Sequence, residues 1–289
     1  MSEQAKAEFL RFCIPIVEVL RELGGSGRSA EVTDLVIERL GISEEEQEAT
    51  TKSGTPRVRN QVAWARFYLV KTELLSSSQH GVWSLTEIGN SADMDEDYVQ
   101  SLYARVRREY TGQRRARKDI AEETGDEEGN AIPEDEDSGY KAELLSLLLN
   151  LPPEGFERLC QRLLRESGFQ QVTVTGKSGD GGIDGHGILQ INPLVSFKVL
   201  FQCKRYRGTV VVSMIRDFRG ALQGRADKGI VLTTGSFTTD AKREAIRDGA
   251  TPIELVDGDK LIEMFETLGL GLRPKKDYEL DQQFFEPYR

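Results

Sequence analysis

Gln202 and Lys204 stand two apart in the run Phe201-Gln-Cys-Lys204. Residues two apart on an extended strand face the same side, so the amide and the ammonium serve one site while Cys203 points away. Upstream, Asp184 lies in the glycine-rich stretch Gly179-Asp-Gly-Gly-Ile-Asp-Gly185. The segment between Asp184 and Gln202 is long enough to run out along one strand and return on the next, which would bring the carboxylate beside the pair. A carboxylate, an amide and an ammonium together suit phosphodiester hydrolysis with Mg²⁺, a hard cation that keeps several waters and binds one or two carboxylates plus the substrate phosphate. Asp184 would supply the firm ligand and Gln202, or the backbone carbonyl of Cys203, a neutral one. Glu157, on a preceding helix, would contribute directly or through water. Lys204 would orient the attacking water and stabilise charge growing on the phosphate. The glycines around Asp184 are expected to let a DNA backbone come close.

Other readings compete for the same residues. Asp-Gly is a turn signal, which suffices for Asp180 taken alone. Glu157 shares its helix with Glu154, Arg158, Arg162, Arg165 and Glu166, so a solvated face explains it as well as a metal does. His186, two after Asp184, fits a surface role. A dinucleotide fingerprint needs a helix opening directly from the glycines, and here a strand follows. Gly176-Lys-Ser178 ends like a phosphate-binding loop, but the glycine required five positions earlier is Gln171.

The elements that must hold these residues are legible from periodicity. A helix is predicted over Pro153–Ser167, then strands over Val172–Thr175, Ile183–Gln190 and Ser196–Lys204, a helix over Ser213–Gln223, and a fully apolar strand over Gly229–Thr234. A helix over Thr238–Asp248, a strand over Pro252–Val256 and a helix over Asp259–Leu268 complete the order. Three strands joined by turns and then strand-helix alternation imply a mixed sheet flanked by helices. Ahead of this, helices are predicted over Glu8–Leu23, ending at Gly24-Gly25, over Ser29–Leu40, and from Thr55-Pro56 to about Leu74. A turn at Ser76–His80 and a strand over Gly81–Leu85 follow, and helices closed by a hairpin suggest a winged helix. Trp64 and Trp83 are expected as core anchors.

The 289 residues, 30% of them charged, suffice for two domains. The longest apolar stretch, Leu144–Leu149, falls far short of a membrane span, and three scattered cysteines make neither a disulfide framework nor a zinc ribbon, so a cytoplasmic protein is expected. The net charge of -10 speaks against a nucleic-acid partner until it is located: nine acids and no base lie between Ala121 and Asp137. That segment, poor in apolar residues, reads as a charged, disordered linker over 111–139 between an N-terminal domain, 1–110, and a C-terminal domain, 140–289. Outside it, five basic residues and no acid lie between Lys52 and Lys71, and seven basic residues against one acid, Asp217, between Ser196 and Arg225. The first cluster coincides with the third helix, where a helix-turn-helix presents its reader, making Arg57, Arg59, Asn60 and Arg66 candidate DNA contacts, with His80 in the wing. In the second, the candidates are Arg205, Arg207, Arg216 and Arg219.

At these residues the sequence resembles the Mrr-type restriction endonucleases. The elements that carry the resemblance are Phe156-Glu157 with Ser167-Gly-Phe169, Gly179–Gly185, Gln202-Cys-Lys204, Thr233-Thr-Gly-Ser-Phe-Thr238, and, in the N-terminal part, Val62–Val70 with Gly81–Thr86. The resemblance implies an α/β restriction-endonuclease-like domain of the PD-(D/E)xK type with Gln202 in the acidic position, joined to a mainly α winged-helix domain. It further implies Mg²⁺-dependent cleavage of double-stranded DNA, typically methylated and foreign. One site cuts one strand, so a homo-oligomer, dimer or tetramer, is expected. Two alternatives stay open: a DNA-binding regulator with a vestigial nuclease domain, for which Gln202 speaks, and a structure-directed repair nuclease.

Overall fold

The computed structural model of the chain describes residues 8–51, 54–76, 81–118, 139–175 and 182–272. His80, Asp180 and the greater part of the expected linker lie outside them.

The N-terminal part begins with a 3-10 turn, Glu8–Phe12, leading into helix α1, Cys13–Glu22. As expected, α1 stops at two glycines: Gly24 and Gly25 hold φ of 82° and 99° and donate back to the carbonyls of Arg21 and Leu20, a conformation other residues resist. Strand β1, Ser26–Arg28, is followed by α2, Ser29–Arg39, a five-residue α3, Glu44–Glu48, and the long α4, Arg57–Lys71. Then come β2, Leu75–Ser76, β3, Val82–Leu85, α5, Glu87–Ser91, and α6, Glu96–Lys118. The strands form an antiparallel sheet in the order β1-β3-β2. One core of Phe12, Ile16, Leu20, Val36, Val62, Leu69 and Trp83 lies beneath it. Trp83 is buried and Trp64 packs with Phe9 and Phe67, both serving the core as expected. The sequence reading missed α3, whose Glu-Glu-Glu-Gln-Glu has no apolar face to signal a helix; Ser43 caps it by accepting from Glu46 N at 3.2 Å.

The C-terminal part opens with α7, Gly139–Asn150, which straddles the expected boundary, and α8, Pro153–Glu166. Strands β4, Phe169–Val174, β5, Gly185–Asn192, and β6, Val195–Lys204, form an antiparallel meander. After a two-residue β7, Thr209–Val210, helix α9, Val212–Leu222, crosses over to β8, Lys228–Thr233, which pairs parallel to β6. A two-residue β9, Ser236–Phe237, pairs with β7, and α10, Thr239–Ala245, leads to β10, Ile253–Val256, parallel to β8. Helix α11, Gly258–Leu268, ends the described chain. The five-stranded sheet, in the order β10-β8-β6-β5-β4, is mixed and covered by helices on both faces, the architecture read from the sequence.

Strand β6 is central and feeds two cores by alternation. Val199 and Phe201 join Phe156, Cys160 and Leu163 of α8 with Leu261 and Phe265 of α11. Leu200 joins Ile215, Phe218 and Leu222 of α9 with Ala241 and Ala245 of α10. Both faces of β6 are thus fixed by apolar packing before it reaches Gln202 and Lys204, and a slip of one residue would turn those two polar side chains toward the first core.

Candidate active site

Asp184 directly precedes β5. Its N–H donates to Phe201 O at 3.0 Å and its carbonyl accepts from Thr175 N at 2.8 Å, so backbone on both sides fixes the residue. Its side chain turns to β6, where Oδ2 accepts from Cys203 N at 2.6 Å, a short charge-assisted bond. Gly185 pairs with Phe201 and His186 with Leu200, which gives Asp184, His186, Gln202 and Lys204 the same parity across the two strands. The hairpin therefore brings Asp184 to the Gln-x-Lys pair, as the spacing predicts.

Gln202 and Lys204 leave β6 on the Leu200 side, toward α9. There a cleft of about 410 Å³ is lined by Gly182, Gln202 and Lys204 from the sheet side and by Met214, Asp217 and Phe218 from α9. Gln202 is buried, and Gly182, at φ 80°, lies so close that a Cβ there would fall 2.2 Å from Gln202 Nε2. A Cβ on Gly185 would meet Phe201 Cζ and Thr173 O, both at 2.3 Å. Packing of the protein itself thus accounts for Gly185, and the left-handed backbone together with Gln202 for Gly182.

Glu157 approaches from α8, on the opposite face of the sheet. Burial first, and then the charge of Asp184, push its carboxyl above the usual range, so the two acids are close enough to repel. Cys203 points to the same face, where its thiol bonds Cys160 and, with burial, is driven far up, leaving it a neutral packing group. Among the described residues no three His, Cys, Asp or Glu side chains gather as a metal cluster. The donors present are two carboxylates and an amide, all hard oxygens.

The threonines of Thr233–Thr238 have a role not read from the sequence: they brace the chain that follows Lys204. Thr233 Oγ1 donates to Lys204 O at 2.8 Å, Thr234 Oγ1 donates to Tyr206 O at 3.0 Å, and Thr238 caps α10 by accepting from Ala241 N at 3.1 Å. Asp217 was also missed, because a single acid inside a basic run carries no periodic signal.

The candidate DNA contacts divide by surroundings. Arg57 and Arg207 are exposed, Asn60 is half-buried, and Arg66 lies 5.7 Å from the ring of Trp83. Arg59 is turned inward, donating to Asp34 Oδ1 at 2.7 Å and to Phe237 O at 3.4 Å. Arg205 donates to Leu149 O. Arg219 is a correction: it is buried and spends its guanidinium on Glu244 and Thr251 O, which staples α9 to α10 and leaves it unable to reach a phosphate. Arg216 stays exposed while also contacting Glu244 at 3.4 Å.

Comparison with known proteins follows the same division of the chain. Residues 148–265 match the family model described as a restriction endonuclease, Mrr_cat, and residues 9–94 match the Mrr N-terminal domain. The type IV methyl-directed restriction enzyme EcoKMrr of Escherichia coli (strain K12) is 26% identical over 304 residues, covering 96% of this chain and 98% of that protein. Among solved structures, the MspJI restriction endonuclease in complex with a 27-mer oligonucleotide is 26% identical at a TM-score of 0.38, over 50% of this chain and 36% of that one. The DNA modification-dependent restriction endonuclease AspBHI is 18% identical at a TM-score of 0.41, over 69% of this chain and 57% of that one. The chain thus spans about a third of the first structure and just over half of the second. With a winged-helix part and a nuclease part each matched to its own model, the chain belongs to the Mrr family of restriction endonucleases.

Proposed function

We propose that this protein is an endonuclease that hydrolyses phosphodiester bonds of double-stranded, methylated foreign DNA, with Mg²⁺ held at Asp184. The observation that supports the reading is the bond from Cys203 N–H to Asp184 Oδ2, which ties a carboxylate to the strand that carries Gln202 and Lys204, two residues lining one cleft. Asp184, the amide oxygen of Gln202 and Glu157 form a hard-oxygen donor set that suits a cation retaining waters and a substrate phosphate; the Cys203 carbonyl is a further candidate ligand. When bound, the cation would supply Lewis acidity and a lowered pKa for water. Lys204 would place a compact positive charge at the scissile phosphate. The chain's winged helix would grip the duplex through Arg57, Asn60 and Arg66 of α4 and the nuclease part through Arg207 and Arg216. Methylation dependence rests on the relative from Escherichia coli, whose description names it methyl-directed. Such work belongs in the cytoplasm, and no described helix is long and apolar enough to cross a membrane.

The test is cleavage of methylated and unmethylated plasmid with Mg²⁺ or a chelator by wild type, Asp184→Ala and Lys204→Ala. Each substitution should lower the rate about 10²-fold or more, in line with the loss of a preorganised charge. An Asp184→Ala protein that cuts like wild type sinks the site. Wild type that binds DNA yet cuts under no metal supports the vestigial reading, for which Gln202 in the acidic position is the favouring observation. Cutting that ignores methylation and follows nicks or branches would make it a repair nuclease.

A further inference from the structure

The two parts of the chain meet through an acidic face. Glu44, on α3, places Oε1 at the start of α9, accepting from Val212 N at 2.7 Å and from Thr238 Oγ1 at 2.9 Å. The residue before α9, Val211, offers no side-chain oxygen, so the positive end of that helix is capped by a carboxylate from elsewhere in the chain. Gln47 accepts from Thr239 N at 3.1 Å and its carbonyl from Thr209 Oγ1 at 3.2 Å. On α2, Asp34 pairs with Lys242 and Glu38 with Arg243, both of α10. Three carboxylates thus cover two cations and a helix start, which is the arrangement that a run of phosphates would meet. The covered ground borders the cleft: Val212 is two residues from Met214, which lines it.

The same contact also withdraws the reader helix. Arg59 stands in the first turn of α4, where duplex contacts are expected, and it donates to Asp34 at 2.7 Å and to Phe237 O at 3.4 Å. Just before α4, a Cβ on Gly54 would lie 3.7 Å from the Cβ of Arg207, a candidate contact on the nuclease part. Of Arg59's two partners, Asp34 also pairs with Lys242 of α10 and Phe237 lies on the nuclease part, so this cation of the reader helix is tied into the contact between the two parts.

We propose that Asp34, Glu38 and Glu44 form an intramolecular plug that stands in for DNA phosphates on the nuclease part, and that a duplex must displace it to reach the reader helix and the cleft. The proposal rests on the reading of the chain as a DNA nuclease. Duplex and plug compete for the same cations, so the closed arrangement lowers the apparent affinity by the fraction of molecules that are open.

Two alterations of the full chain test this by fluorescence anisotropy with a labelled duplex, methylated and unmethylated. In Gly54→Cys/Arg207→Cys the Cβ–Cβ separation of 3.7 Å matches that of a disulfide, about 3.8 Å. The oxidised protein is expected to bind at least about tenfold more weakly than the same protein reduced, a comparison that cancels the strain of a cysteine at Gly54 and the loss of Arg207; wild type with and without reductant controls for the native thiols. In Asp34→Asn/Glu44→Gln, where size is kept and charge removed, binding should tighten several-fold at low salt. Equal affinity of the oxidised and reduced forms, or no tightening in the amide variant, overturns the plug while wild type still binds and cuts. Wild type that binds no duplex overturns the nuclease reading itself, and the plug with it.

Discussion

Asp184 and Glu157 are close enough for their charges to interact, yet their surroundings set them apart. Asp184 accepts a backbone N–H at 2.6 Å, whereas burial first and then the charge of Asp184 hold Glu157 toward neutrality. Because the Glu157 pKa is raised on folding, its neutral form favours the native state at low pH, and that contribution is lost as pH rises through the folded pKa. Glu157→Gln should therefore raise Tm at neutral pH, with no gain below the ordinary carboxylate pKa of about 4, in melts across pH. The same substitution should slow cleavage and move its acid limb downward, toward the usual carboxylate range. Gly182→Ala makes a separate test: with φ at 80° and Gln202 Nε2 at 2.2 Å from the new Cβ, the amide must move, so cleavage should fall by more than a modest drop in Tm accounts for.

Elements, more than residues, explain why two neighbouring arginines of α9 differ. Burial works against the charge of Glu244, but Arg216, Arg247 and Arg219 outweigh it and hold its carboxyl below the usual range. Arg219→Ala removes the buried partner and strands the carbonyls of Thr251 and Glu244, which should destabilise the protein by about 3 kcal/mol in denaturant unfolding, with Arg216 and Arg247 limiting the loss. Arg207→Ala, in the loop between β6 and β7, should weaken duplex binding evenly across sequences and reduce the slope of log affinity against log salt by about one. Sequence spacing cannot separate these arginines, because each follows the same basic pattern and only the register of α9 against α10 buries one of them.

For the whole molecule, the net charge of -10 is a poor guide to its partner. Nine acids crowd one short segment, and basic residues gather at α4 and along β6 to α9. On the proposed reading one site cuts one strand at a time, so double-strand cutting is expected from two chains acting together. Its rate should rise more steeply than linearly with protein concentration at low concentration, while nicking stays linear; a linear dependence of both, measured on supercoiled plasmid, would argue for one chain acting twice.

Local signals decided much of this protein. Alternation placed Gln202 and Lys204 together, turn residues ended α1 and separated the strands, and apolar runs located every long strand of the nuclease sheet, because each of these follows from neighbours in sequence. The gathering of Asp184 with Gln202 was also legible, since one hairpin suffices to make it. What only tertiary structure decided involves partners far apart in the chain: Glu44 on the start of α9, Arg59 turned to Asp34 and Phe237, and Arg219 buried on Glu244. Such contacts depend on how whole elements dock, and a carboxylate or guanidinium has the same identity in sequence whether it meets water, phosphate or another part of its own chain.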